Sequence, residues 1–194
     1  MKLAVLASGR GSNFKAIASA VKSGRIPSTE VVGLLCSRAE APAIGLAKEL
    51  GVKCFVHPYQ KKMDRTEYEM GLVKILEPLR PDYICLAGYM LLLGPTLLRE
   101  YPKRILNIHP SLLPAFKGLH AQRQALEAGV EWTGCTVHWV TEKMDAGPAL
   151  KQAKIRIEKQ DTEESLSQRL LPLEHETYVE ALMELAVNHV SKGG

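Results

Sequence analysis

The sequence predicts an α/β protein: a mostly parallel, twisted sheet flanked by helices, ending in an antiparallel C-terminal hairpin and a long C-terminal helix. Three observations carry that reading. Short apolar runs, such as residues 3–7, 31–36 and 83–87, read as strands, the first of them apolar on both faces as a buried parallel strand is. These runs alternate with segments of helical periodicity bounded by Gly, Pro or a capping acid. That βαβ rhythm implies right-handed crossovers and parallel strands. After the fifth strand the rhythm changes, and two strand-like runs, 135–140 and 150–157, follow one another around a turn at 143–148.

Residues 3–7 form the first strand, and the turn Ser8-Gly9-Arg10-Gly11-Ser12-Asn13 leads into a helix with Ile17, Ala18 and Val21 on one side. Gly24 closes that helix. Residues 31–36 are the second strand, and Pro42 and Gly51 frame the second helix. A third strand follows at 53–57. Asp64 and Glu67 have capping-box spacing for a helix carrying Tyr68, Leu72, Ile75 and Leu79, which Pro78 and Pro81 end. The fourth strand is 83–87, then a loop at 88–93 and a short helix at 95–101. Ile105, Leu106 and Ile108 mark the fifth strand, which stops at His109 because Pro110 cannot donate to a ladder. Gly118 and Gly129 enclose another short helix before the hairpin. Asp161 and Glu164 suggest the cap of the last helix, which reaches about residue 190 and which Pro172 is expected to kink or split. No repeat, linker or low-complexity run interrupts this order. Residues 1–194 are expected to form a single domain.

The composition narrows the function. With 194 residues the chain can bury a sizeable core, and 24% charged and 46% hydrophobic residues are ordinary for a globular protein. A net charge of +4 suits an anionic small molecule but not a nucleic-acid partner. Cys36, Cys54, Cys85 and Cys135 form no CxxC pair, which reads as reduced thiols in a cytoplasmic protein and not as a metal site. The first apolar run is too short for a signal peptide. The most apolar stretch, 83–93, is interrupted by Gly88 and falls short of the roughly 18 residues that a membrane span needs.

Three motifs carry chemistry. The glycines of Gly9-Arg10-Gly11-Ser12-Asn13 let backbone approach an anion, and the helix that follows offers unpaired amides and a positive dipole end. A dinucleotide fingerprint would need a third Gly where Phe14 stands and an acid where Cys36-Ser37-Arg38 stand, so a dinucleotide is disfavoured. Asn107 and His109 are two apart on a strand and share a face, at the strand's carboxyl end where open α/β sheets bind ligands. Asp145-Ala146-Gly147-Pro148 alone is turn chemistry. Beside His109, however, its carboxylate would orient the imidazole and favour the imidazolium. No activated Ser or Cys nucleophile is evident. An amide, an imidazole and an acid therefore suit direct group transfer through an oxyanion better than covalent catalysis. His120, His138 and His175 read as weaker candidates, His138 as a structural strand residue. Glu174 is either a solvated helix acid or a group reaching a ligand hydroxyl.

Taken together, Ser8-Gly9-Arg10-Gly11-Ser12-Asn13, Asn107-Ile108-His109-Pro110-Ser111-Leu112-Leu113-Pro114 and Asp145-Ala146-Gly147-Pro148 resemble the formyltetrahydrofolate-dependent formyltransferase family. The resemblance extends from Leu3 to about residue 190, and the Ser-Gly-x-Gly-Ser-Asn turn points to the branch that formylates glycinamide ribonucleotide in de novo purine biosynthesis. It implies a Rossmann-like domain with a nucleotide-binding half, 1–103, and a catalytic and folate-binding half, 104–194. It implies direct attack of the ribonucleotide's amine on the formyl carbon of 10-formyltetrahydrofolate, a co-substrate, through a tetrahedral oxyanion and without a metal. Asn107, His109 and Asp145 are the implied catalytic residues. Gly11, Ser12, Asn13 and Glu174 are implied to bind the ribonucleotide, and Arg65, Met90, Leu91, Leu92, Leu93 and Asn107 the folate. The implied partners are these small molecules, with no nucleic acid or membrane, for a cytoplasmic monomer or homodimer. Methionyl-tRNA formyltransferase and formyltetrahydrofolate hydrolase share the core but carry an extra C-terminal or N-terminal domain, for which this chain is expected to have no room. A non-catalytic nucleotide-binding module would not need the converging amide, imidazole and acid.

Overall fold

The computed structural model describes residues 1–60 and 62–192, and their side chains except those of Val190 and Lys192; Lys61 and the last two positions of the expected 1–194 domain lie outside the described residues. Along the chain run β1 (Lys2–Ala7), α1 (Ser12–Lys22), β2 (Glu30–Cys36), α2 (Ala43–Leu50), β3 (Cys54–Val56) and α3 (Arg65–Leu76). After a 3-10 turn at Glu77–Leu79 come β4 (Tyr83–Leu86), α4 (Pro95–Glu100), β5 (Ile105–His109) and α5 (Ala121–Glu127). The hairpin β6 (Trp132–Trp139) and β7 (Ala149–Arg156) precedes α6 (Glu163–Lys192).

The strands form one sheet in the order β3-β2-β1-β4-β5-β6-β7. β1 to β5 pair in parallel, and β6 and β7 extend the sheet antiparallel. β1 is apolar from Leu3 onward because both of its faces are covered. Leu3, Val5 and Ala7 join a core cluster with Phe14 and Ile17 of α1, Ala43 and Ala47 of α2, and Tyr178 and Leu182 of α6. Ala4 and Leu6 point the other way, onto Tyr68, Leu72 and Leu76 of α3 and Leu97 of α4. Each fully buried Leu or Val contributes about 1.5–3 kcal/mol, so this strand is the hub of the packing. Tyr178 ties α6 to the sheet: its buried hydroxyl donates toward the carbonyls of Leu86 and Leu106, at 3.3 and 3.2 Å. All four cysteines are free thiols, and burial pushes those of Cys36 and Cys85 up to about 12. Among the described residues no helix is long and apolar enough to cross a membrane.

Several boundaries differ from expectation. β3 keeps only three residues, as befits an edge strand, while β6 starts at Trp132, three residues before the expected strand. Pro172 does not split the last helix, which is continuous. Pro172 and Gln168, the residue whose carbonyl loses its donor, are both exposed, so water can satisfy that carbonyl. The cap of α6 is also reassigned. Thr162 Oγ1 accepts from the Ser165 amide at 3.2 Å and Ser165 Oγ from the Thr162 amide at 2.9 Å, a reciprocal box one residue later than Asp161 and Glu164. Asp161 instead accepts from the Glu158 amide. At α3, Asp64 caps as expected, accepting from the Glu67 amide at 3.1 Å.

One cap comes from another element. Glu69, buried on α3, accepts from the Gly94 amide and, at 3.1 Å, from that of Leu97. Gly94 has no side chain to cap α4, so this carboxylate supplies the acceptor and complements the helix dipole. It also fastens the end of the 88–93 loop. Glu69→Ala leaves two amides without their acceptor and should lower unfolding free energy by about 1–3 kcal/mol in urea titration. Glu69→Gln, with one acceptor oxygen retained, should lose less.

Candidate active site

The carboxyl ends of the parallel strands lie along one edge of the sheet. The strand order reverses there between β1 and β4, which opens a crevice. Asn107 sits beside Leu86 of β4 on one side and His138 of β6 on the other. His109 is the last residue of β5 and is buried. Its Nε2 lies 2.8 Å from the Phe116 carbonyl, an acceptor only, and its Nδ1 lies 3.4 Å from Asp145 Oδ2. Both ring nitrogens therefore face oxygen.

Asp145 arrives on the loop between β6 and β7 with a left-handed backbone (φ 48°), a region where Asp is tolerated better than most residues. Two residues on, Gly147 passes so close to the Trp139 carbonyl that a Cβ would overlap it, which fixes the loop's path. The Gly118 amide donates to Asp145 Oδ2 at 2.9 Å. Burial would raise the Asp145 carboxyl, but the His138 bond, the Gly118 amide and the charge of His109 outweigh it and hold the group below the usual carboxylate value.

The first turn forms a second cluster. Gly11 has φ 77° and packs so tightly that an added Cβ would lie 2.6 Å from that of Ala43. Its role is thus partly in folding, and a substitution there would disturb α2 as well as any ligand. Among the described residues the amides of Ser12, Asn13 and Phe14 have no hydrogen-bond acceptor, and the first turn of α1 holds no acid. This is the anion-binding end of a helix. Asn13 Nδ2 donates to Glu174 Oε2 at 3.0 Å in a buried contact between residues 161 positions apart. Burial raises the Glu174 carboxyl, offset in part by the Asn13 bond and the nearby charge of Arg10. Asn13 Oδ1 is buried without a partner.

Arg65 opens α3, with its guanidinium 5.8 Å from the Tyr59 ring. Tyr59 lines a cavity of about 250 Å³ together with Met90 and Leu91. In the 88–93 loop Met90 and Leu92 are 73% and 60% exposed, while Leu91 and Leu93 pack on the second core cluster. The Met90 amide donates to Ser8 Oγ.

The expected residues thus form two contact groups, His109–Asp145 and Asn13–Glu174; Asn107 joins the first only through His138, and Arg65 and the 90–93 loop lie along the same edge. Sequence reasoning underrated His138. It is not a bystander in the strand: its Nε2 lies 3.3 Å from Asn107 Nδ2 and 3.6 Å from Asp145 Oδ1. Its Nδ1 faces the Trp139 carbonyl at 3.0 Å. Its signal is the antiparallel register that sets Asn107 opposite His138, which no local pattern encodes.

A pH dependence follows from Glu174. A carboxyl raised in the folded state binds its proton more tightly there than in the unfolded chain, whose value is near 4.5. Stability should therefore fall as pH rises from that value through the folded one. Glu174→Gln should abolish this decline and raise the melting temperature at neutral pH. Thermal melts of both proteins from pH 4 to 8 test it, and parallel curves would assign the decline to another group.

The formyl transferase family pattern matches residues 1–182. Phosphoribosylglycinamide formyltransferase of Bacillus subtilis (strain 168) is 40% identical over 184 residues, spanning 95% of this chain and 94% of that protein. A trifunctional purine biosynthetic protein of Gallus gallus is 37% identical over all of this chain, which spans only 19% of that larger protein. The crystal structure of glycinamide ribonucleotide transformylase 1 from Symbiobacterium toebii superposes with a TM-score of 0.94 at 43% identity, covering 97% of this chain and 88% of that one. The chain belongs to the formyl transferase family.

Proposed function

We propose that this formyltransferase moves the formyl group of 10-formyltetrahydrofolate to the amine of glycinamide ribonucleotide. One observation carries the reading: a carboxylate between two imidazoles, one of which reaches the Asn107 amide, shares a sheet edge with a helix end whose amides are free among the described residues. The two halves of the chain are interleaved in this reading. Gly11, Ser12 and Asn13 hold the phosphate, Glu174 from the far half takes a ribose hydroxyl, and Arg65, Asn107 and the 90–93 loop receive the folate. One formyltransferase domain results, working on small molecules, and the similarity to the phosphoribosylglycinamide formyltransferase of Bacillus subtilis over 94% of that protein supports it.

The chemistry follows from the cluster. An α-amino-type group has an ordinary pKa near 8, so a useful fraction is neutral near pH 7 and can attack the formyl carbon. Negative charge then gathers on the formyl oxygen. Asn107 Nδ2 donates to it, and the His109 ring joins by exchanging its bond to the Phe116 carbonyl for one to the formyl oxygen. Asp145 orients His109 from the Nδ1 side and orders a water that carries protons from the attacking amine to the departing nitrogen. His138 positions Asn107 and shares the Asp145 carboxylate.

Three measurements test this. Formyl transfer should be fast to glycinamide ribonucleotide and slower to methionyl-tRNA or water. Equal transfer to tRNA, or hydrolysis without an acceptor, would overturn the choice of substrate. Asp145→Asn keeps the side chain's size but removes its charge, and should cost on the order of a hundredfold or more in turnover while both substrates still bind. Near-normal turnover would reduce Asp145 to a turn residue. Asn13→Ala should raise KM for the ribonucleotide roughly tenfold and leave that for the folate nearly unchanged.

A further inference from the structure

Residues 88–93 contain no helix or strand, and Gly88 has φ 69°. Side chains of α3 hold the segment from one side. The Tyr89 hydroxyl lies 3.0 Å from that of Tyr68, and the Gly94 amide just beyond donates to Glu69. The backbone of the segment, however, is held by a single residue. Among the described residues every hydrogen bond of the 88–93 backbone is made with Ser8. The Ser8 amide donates to the Gly88 carbonyl at 3.1 Å, and the Met90 amide donates to Ser8 Oγ at 2.9 Å. Ser8 is 2% exposed, and its hydroxyl pairs with that of Ser37, 2.6 Å away. Buried bonds of this kind are costly to break, because each group would lose its partner without gaining water.

Ser8 is also the first residue of the glycine turn. Beyond Gly9, Arg10 and Gly11 stand the free amides of Ser12, Asn13 and Phe14. The start of the turn is thinly packed: a Cβ added at Gly9 would meet nothing within 4 Å, and Arg10 is exposed. An anion on the free amides therefore orders the turn, and a ligand along residues 90–93 orders the loop. Both segments are anchored on the same buried serine. Ordering by the first ligand removes part of the entropy that the second must lose, and the effect is reciprocal.

Resting on the two-substrate reading above, we propose that Ser8 is a positioning residue that couples the anion-binding turn to the 88–93 loop, so that occupancy of either site tightens the other. Ser8 itself touches neither substrate in this arrangement. It acts through the Gly88 carbonyl and the Met90 amide.

The test is calorimetric titration of the intact protein with tetrahydrofolate, alone and with saturating ribose 5-phosphate. The sugar phosphate lacks the amine that meets the folate, so any coupling between the two must pass through the protein. Wild type should bind tetrahydrofolate about fivefold more tightly in its presence. In Ser8→Ala that gain should nearly vanish, while affinity for ribose 5-phosphate alone stays close to that of wild type. Ser37→Ala keeps the bond between Ser8 Oγ and the Met90 amide and should retain most of the gain. Hydrogen exchange in the wild type gives a readout that depends on no variant: ribose 5-phosphate alone should slow exchange of the Met90 amide about fivefold. Equal tetrahydrofolate affinity with and without ribose 5-phosphate, an unslowed Met90 amide, or undiminished coupling in Ser8→Ala would overturn the proposal. Equal loss of coupling in Ser37→Ala would mark a packing effect and refute the role of the Ser8 bonds. Failure of wild type to bind either ligand alone would overturn the two-substrate reading instead.

Discussion

The reversal of strand order between β1 and β4 is the constraint on which the site depends. Parallel strands must be joined by crossovers, and those leading outward from β1 lie on the opposite side from those leading outward from β4. The connections therefore part above the carboxyl ends, and side chains there are free to meet a ligand. β1 can occupy this central place only because both of its faces are covered, by α1, α2 and α6 on one side and by α3 and α4 on the other. A polar residue in its interior would be buried without a partner, at a cost of several kcal/mol.

On that frame, a small number of contacts fixes the polar cluster. One carboxylate, Asp145, lies between two imidazoles and also accepts a backbone amide. Such an arrangement keeps the acid ionised in spite of its burial. It also keeps both rings in one orientation, because each also has a fixed carbonyl on its far nitrogen. The rigidity comes from backbone: the left-handed turn at Asp145 and the close passage of Gly147 leave the loop no alternative path.

The strands, most helix boundaries and the shared face of Asn107 and His109 were legible in the sequence because they follow from local rules of period and capping. So was Asp145, although its meaning came from combination with the histidine. What escaped was set by tertiary geometry. His138 entered the cluster through the register of β6 on β5, and the Glu69 cap of α4 joins two helices whose spacing no motif encodes. The cap of α6 shifted because Thr162 and Ser165 formed the reciprocal bonds while Asp161 turned back to Glu158. Pro172 looked disruptive because its exposure, which lets water serve the freed carbonyl, is invisible before the helix is docked.

The buried contact between Asn13 and Glu174 also has a meaning in time. The two residues are 161 positions apart, so a chain growing at about 5–20 residues per second makes the second about 8–30 s after the first. During that interval the glycine turn and β1 can form, but the carboxylate that completes their end of the crevice does not yet exist. The bond between them cannot stabilise the early folding intermediates. It stabilises only the finished protein, and so acts as a late check that the last helix has docked.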